Sequence, residues 1–176
     1  MNLAKILGQR LGKRDITDLC SLCSGVCNNA LKADLLSLVY HTDDRISYNA
    51  LWVISHFSAD DMEWLYPERN ALIEFVLSAV HVGKKRLALT LLERQAISKE
   101  DVRTDYLDFC LSKINSNEPY SIRVLCLKQS FALCKFYPEL MVELESEIDL
   151  MQYGEMSSGL LSARKSILQK IAKLRL

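Results

Sequence analysis

Residues 118–151 read EPYSIRVLCLKQSFALCKFYPELMVELESEIDLM, two helical stripes with almost no chain between them. Ile122, Leu125, Cys126, Leu133 and Cys134 recur at helical spacing and mark one face. Pro119 sits where a helix start tolerates the missing N–H. Tyr137-Pro138-Glu139 ends that helix and opens the next, whose apolar set is Leu140, Met141, Leu144, Ile148 and Met151. Two such helices joined so tightly can only fold back on each other as an αα-hairpin. The rest of the chain reads as looser copies of this unit.

Helical periodicity predicts a short helix over 2–11 and a second over 15–24. A third opens at Asn28 or Asn29. A fourth carries Ile46, Ala50, Leu51, Ile54 and Phe57, and a fifth runs from Asp60-Asp61 through Ala79 with Tyr66-Pro67-Glu68 in its first turns. A sixth spans 83–95. Ser98-Lys99-Glu100-Asp101 has the form of a capping box and is expected to open the seventh. The hairpin supplies two more, Gln152 to Ser157 is a loop, and a last helix runs to the end. Only six glycines and three prolines punctuate 176 residues, too few for a many-turned β fold. The fold class is therefore all-α.

The helices repeat. Ala50, Leu87, Cys126 and Ala163 are the central apolar residues of four helices and lie 37, 39 and 37 residues apart. Ile46, Gly83, Ile122 and Gly159 precede them by four residues, and Ile54, Leu91, Ser130 and Ile167 follow by four. A period near 38 built from two helices resembles the HEAT/armadillo-like repeats. The resemblance covers residues 43–176 clearly and 1–42 loosely. It implies an α-α superhelix of antiparallel helix pairs, a single domain over 1–176, and a binding surface in place of a catalytic centre.

No residue pattern for catalysis, a cofactor or a metal stands out. Cys20, Cys23 and Cys27 form C-x-x-C-x-x-x-C, a spacing that also places thiols along one stripe of a helix. With no fourth ligand nearby they read as reduced, buried core residues, as do Cys110, Cys126 and Cys134. His41, His56 and His81 fall at helix ends without a nucleophile and an acidic orienter beside them. Trp52 and Trp64 sit among apolar neighbours and read as packing. The N-terminus lacks the apolar run of a signal peptide, and the longest uncharged run, Ile46 to Ala59, is too short to span a bilayer. A cytoplasmic protein is expected.

Net charge is zero, with 22 basic and 22 acidic residues, yet the charges are sorted. The first helices of the four pairs, residues 44–57, 82–97, 118–136 and 157–176, carry 0, +3, +2 and +5. The second helices, residues 60–79, 99–115 and 138–151, carry −4, −1 and −5. In the family resembled, second helices line the concave side. The resemblance thus implies a non-enzymatic protein- or peptide-binding or scaffolding module meeting a basic partner through Glu68, Glu74, Asp105, Asp108, Glu139, Glu143 and Glu147. The alternative resemblance is to the DNA alkylation repair glycosylases built on similar repeats. That reading needs a basic groove, whereas acidic second helices repel phosphate. The last helix is expected to form an edge of the array, leaving a monomer or a weak dimer through that helix.

Overall fold

The computed structural model describes residues 2–152 and 156–175, except the side chain of Val26. The chain is all-α, with no strand among the described residues. It divides into two compact units, Met1–Gln95 and Ala96–Leu176.

In the first unit, α1 (Leu3–Leu7), α2 (Lys13–Cys23), α3 (Asn29–Ser37), α4 (Asp44–Ile54), α5 (Ala59–Leu65), α6 (Arg69–Ser78) and α7 (Val82–Arg94) follow one another. Helix α4 is the centre, in contact with α1, α2, α3 and α7. It buries Ala50, Leu51, Val53 and Ile54, so no side of its middle turns is left for solvent-loving residues. Its two buried polar side chains are satisfied. Ser47 donates to Val39 O at 2.5 Å, and Asn49 donates to Leu7 O at 2.7 Å, closing the C-terminal end of α1. Asp43 caps α4 by accepting from Arg45 N and Ile46 N.

The expected fifth helix is two helices. A 3-10 turn at Tyr66–Glu68 separates α5 from α6. Pro67 lacks the N–H an α-helix needs at that point and clashes with the preceding turn, so the axis breaks there. The Tyr-Pro-Glu triplet still precedes a helix in both places, since Tyr137 caps α10 with Pro138 at its first position.

In the second unit, α8 (Thr104–Ile114), α9 (Tyr120–Cys134), α10 (Pro138–Asp149) and α11 (Ser158–Leu174) pack around α9, which touches the other three. Ser98 and Asp101 do form their reciprocal cap, but on a 3-10 turn at Lys99–Asp101. Helix α8 starts later, at Thr104. Helix α9 is buried on more than the single face expected. Leu127, Gln129 and Ser130 are enclosed along with Ile122, Cys126, Leu133 and Cys134. Of the loop expected over 152–157, residues 153–155 lie outside the described residues, as does Leu176, to which the last helix is expected to run.

The repeat register is visible in the burial. Ala50 and Cys126 are fully buried, Leu87 is 4 % exposed and Ala163 9 %. Four residues on, Ile54, Leu91, Ser130 and Ile167 are all buried. Arginines of three first helices donate to backbone carbonyls at or just past the end of another helix. Arg94 donates to Ser55 O and Phe57 O, beyond the end of α4; Arg123 donates to Ile114 O of α8; and Arg164 donates to Ile148 O of α10. Arg123 and Arg164 thereby sit at the negative ends of the α8 and α10 dipoles.

Candidate interaction surface

Helix α10 buries Met141, Leu144 and Ile148 and turns Glu139, Val142, Glu143, Ser146 and Asp149 outward. Val142 is 60 % exposed and Leu150, just past the helix, 66 %. Two aliphatic side chains are thus exposed on the side of α10 that also carries Glu139, Glu143 and Asp149. Helix α8 exposes Asp105, Asp108, Ser112 and, at its end, Asn115. Asn115 donates to Glu147 O and to a Glu147 carboxylate oxygen, both at 2.8 Å, which ties the two helices together at one end.

Five of the seven acidic residues expected to meet a partner therefore fall in the second unit. Asp105, Asp108, Glu139 and Glu143 are exposed, and Glu147 is half-buried. Asp105 is engaged by Arg103 at 2.5 Å, and the hydrogen bonds from that guanidinium hold its carboxyl below the usual range. Glu145 is engaged by Arg175 at the same distance. Glu68 and Glu74 are exposed on the 3-10 turn and α6 of the first unit. Burial raises the Tyr40 hydroxyl above its ordinary range, and the negative charge of Glu68 adds to the rise.

One acidic residue counted in the charged layer is not on the surface. Asp61, in α5, is 4 % exposed and pairs with Lys32 of α3, itself 2 % exposed, at 2.5 Å. Its oxygens also accept from Gly25 N at 3.0 Å and Ser58 Oγ at 2.9 Å. Lys32 Nζ lies 5.4 Å from the centre of the Trp64 ring. Burial alone would raise the Asp61 carboxyl. The hydrogen bonds from Lys32, Gly25 and Ser58, with the Lys32 charge, outweigh it and hold the group at about 2. The Asp61 carboxylate is thus enclosed and held by donors from Lys32, Gly25 and Ser58.

That network also explains the cysteine cluster. Ser24 ends α2 in an extended conformation, and Gly25 adopts φ 93°, a region that glycine alone occupies freely. The stripe drawn through Cys20, Cys23 and Cys27 is broken there. Cys23 is buried, Cys20 half-buried, and Cys27 lies exposed on a 3-10 turn, contrary to the expectation of three buried thiols. Burial and the neighbouring Cys20 push the Cys23 thiol up, away from the reactive thiolate form. Among the described residues, no three His, Cys, Asp or Glu side chains are gathered as metal ligands would be.

The histidines make local bonds at helix ends. His41 accepts from Asp43 N, His81 caps α7 by accepting from Lys84 N, and His56 Nδ1 lies 2.9 Å from Trp52 O. Trp52 and Trp64 are both half-buried. No helix among the described residues is long and apolar enough to cross a membrane.

Helix pairs in a fixed register, with charge sorted between helices and side chains packed rather than poised, define an all-α repeat protein. The chain belongs to the HEAT repeat domain family, whose model matches residues 3–171. No curated protein matches it.

Proposed function

We propose that this chain is a non-enzymatic protein- or peptide-binding module, with residues 1–176 acting as one repeat domain. The family match, which spans both compact units, supports the single-domain reading. The observation that carries the function is the outer stripe of α10. There Val142 and Leu150 stay exposed between Glu139, Glu143 and Asp149. Glu139, Glu143 and Glu147 follow at i, i+4 and i+8, an arrangement that costs the helix a few tenths of a kcal/mol per like-charged pair. No lysine or arginine relieves it between Glu139 and Gln152. A partner with Lys or Arg around an apolar anchor fits this stripe. Asp105 and Asp108 extend it on α8, and Glu68 and Glu74 are candidates for a second contact on the first unit.

A nucleic-acid partner suits the chain less well, because the acidic stripe of α10 repels phosphate and several cations of α7 and α9 are already engaged. Lys84 pairs with Asp44 at 2.6 Å, and Arg94 and Arg123 cap neighbouring helices. The six free cysteines suit a reducing compartment, so a cytoplasmic location is part of the proposal.

The test is the triple variant Glu139→Gln, Glu143→Gln and Glu147→Gln, assayed against a partner isolated with the parent. Removing three steering charges is expected to lower the association rate about tenfold at low ionic strength and much less at high salt. Unchanged rate and affinity would place the site elsewhere.

A further inference from the structure

In the first unit, α4, α6, α7 and the connection at residues 79–81 border a groove of about 480 Å³. Phe75, Ala79 and Val80 supply its apolar lining, and Asp44 and Lys84 its charged lining. Local bonds fix this shape. His81 accepts from Lys84 N at 3.2 Å and caps α7, and Ala79 and His81 are both extended. Gly83 lets the first turn of α7 lie close to α4, since a Cβ there would stand 2.9 Å from the Tyr48 ring. Lys84 of that turn then reaches Asp44 of α4 at 2.6 Å. Val80 is left outside, 91 % exposed. A single exposed aliphatic residue is ordinary on a protein surface. This one continues an apolar patch. Half-buried Phe75 lines the same groove, and the exposed Tyr40 meets the Phe75 ring edge-on at 5.8 Å.

The charges beside the patch say what it takes. The Lys84 side chain is held by Asp44 and is 14 % exposed, whereas that of Asp44 is 68 % exposed. The hydrogen bond and charge of Lys84 hold the Asp44 carboxyl below its usual range, so it stays ionised. Arg45, the next residue, is turned to Gly8 O past the end of α1. Beyond Tyr40, Glu68 is exposed, and its negative charge reaches the Tyr40 hydroxyl. Carboxylates thus stand on both sides of the apolar patch, and the face of an exposed aromatic ring also attracts a cation. We propose that this groove docks a Lys- or Arg-bearing segment of a basic protein. One aliphatic side chain of that segment seats on Phe75, Ala79 and Val80, and its cations meet Asp44 on one side and Tyr40 with Glu68 on the other. The inference rests on the reading of the chain as a binder of basic partners, and it makes Glu68 the rim of a shaped site on the first unit.

The probe is a short labelled peptide with Leu at its centre and Arg on both sides. One control replaces Leu with Ala, and another replaces Arg with Glu. All are titrated by fluorescence anisotropy into the full chain carrying Glu139→Gln, Glu143→Gln and Glu147→Gln, so that α10 contributes little. The Leu–Arg peptide is expected to bind, and both controls to bind at least about tenfold more weakly. Val80→Ser, at a position too exposed to disturb the core, should weaken the Leu–Arg peptide about fivefold and leave the Ala control unchanged. Glu68→Lys should weaken it about tenfold at low salt and less at high salt. Both variants should melt as the parent does. Absent binding, equal binding of the Glu control, or indifference to both substitutions would overturn the proposal. So would a dimer by light scattering that Val80→Ser dissolves, since the groove would then take a second copy. A failure confined to this titration leaves the α10 stripe standing, whereas a partner indifferent to the triple Gln change counts against that stripe and not against this groove.

Discussion

Lys32→Met is expected to lower the unfolding free energy by about 3–5 kcal/mol, because it leaves the Asp61 carboxylate buried without its cation. The loss should depend on pH, which a simple packing defect would not. In the folded parent the Asp61 carboxyl titrates at about 2, below its ordinary 3.8. Its ionised form therefore contributes stability in full above about pH 4, and that contribution, about 2 kcal/mol, fades as pH falls toward 2. In the variant the carboxyl rises and protonates sooner. The gap between parent and variant, measured by urea denaturation, should then narrow from pH 6 to pH 3. A gap that stays constant would mean that the pair stabilises the fold by shape alone. Replacing both partners, Lys32→Met with Asp61→Leu, should recover part of the loss, since no buried charge is left alone.

Leu144→Ala should destabilise the second unit by about 2–5 kcal/mol, from lost transfer energy plus the cavity left behind. Leu144 is fully buried in α10, between Met141 and Ile148, on the side opposite the exposed carboxylates. Hydrogen exchange should show the amides of α10 losing protection first, because α10 is held by this stripe and by the Asn115–Glu147 link. Val142→Ala, by contrast, removes a side chain that is already 60 % exposed, and should change stability by less than about 0.5 kcal/mol. If the two substitutions behave alike, the assignment of inner and outer faces of α10 is wrong.

What the sequence made legible was periodic. The register through Ala50, Leu87, Cys126 and Ala163 is the register of the buried helix centres, because spacing along a helix decides which residues share a face. The stripe of Glu139, Glu143 and Glu147 was legible for the same reason. What escaped depends on contacts between distant residues. Asp61 read as one acid of an exposed layer, yet Lys32, 29 positions earlier, takes it into the interior. Ser58-Ala59-Asp60-Asp61 did carry a local hint, since Ser58 and Asp61 bond as an N-terminal cap. The break at Pro67 and the late start of α8 are boundary effects, where a 3-10 turn competes closely with an α-turn. Cys27 fell off its stripe because Gly25, between Cys23 and Cys27, left the helix.

On the proposed function, this HEAT repeat chain offers acidic helices to a basic protein partner and not a basic groove to nucleic acid. Fluorescence anisotropy at low salt, with a labelled arginine- and leucine-containing peptide beside a labelled DNA duplex, tests it most directly. The peptide is expected to bind, salt and the triple Gln change on α10 should both weaken it, and the duplex should not bind. Sub-micromolar duplex binding that falls steeply with salt would overturn the proposed function.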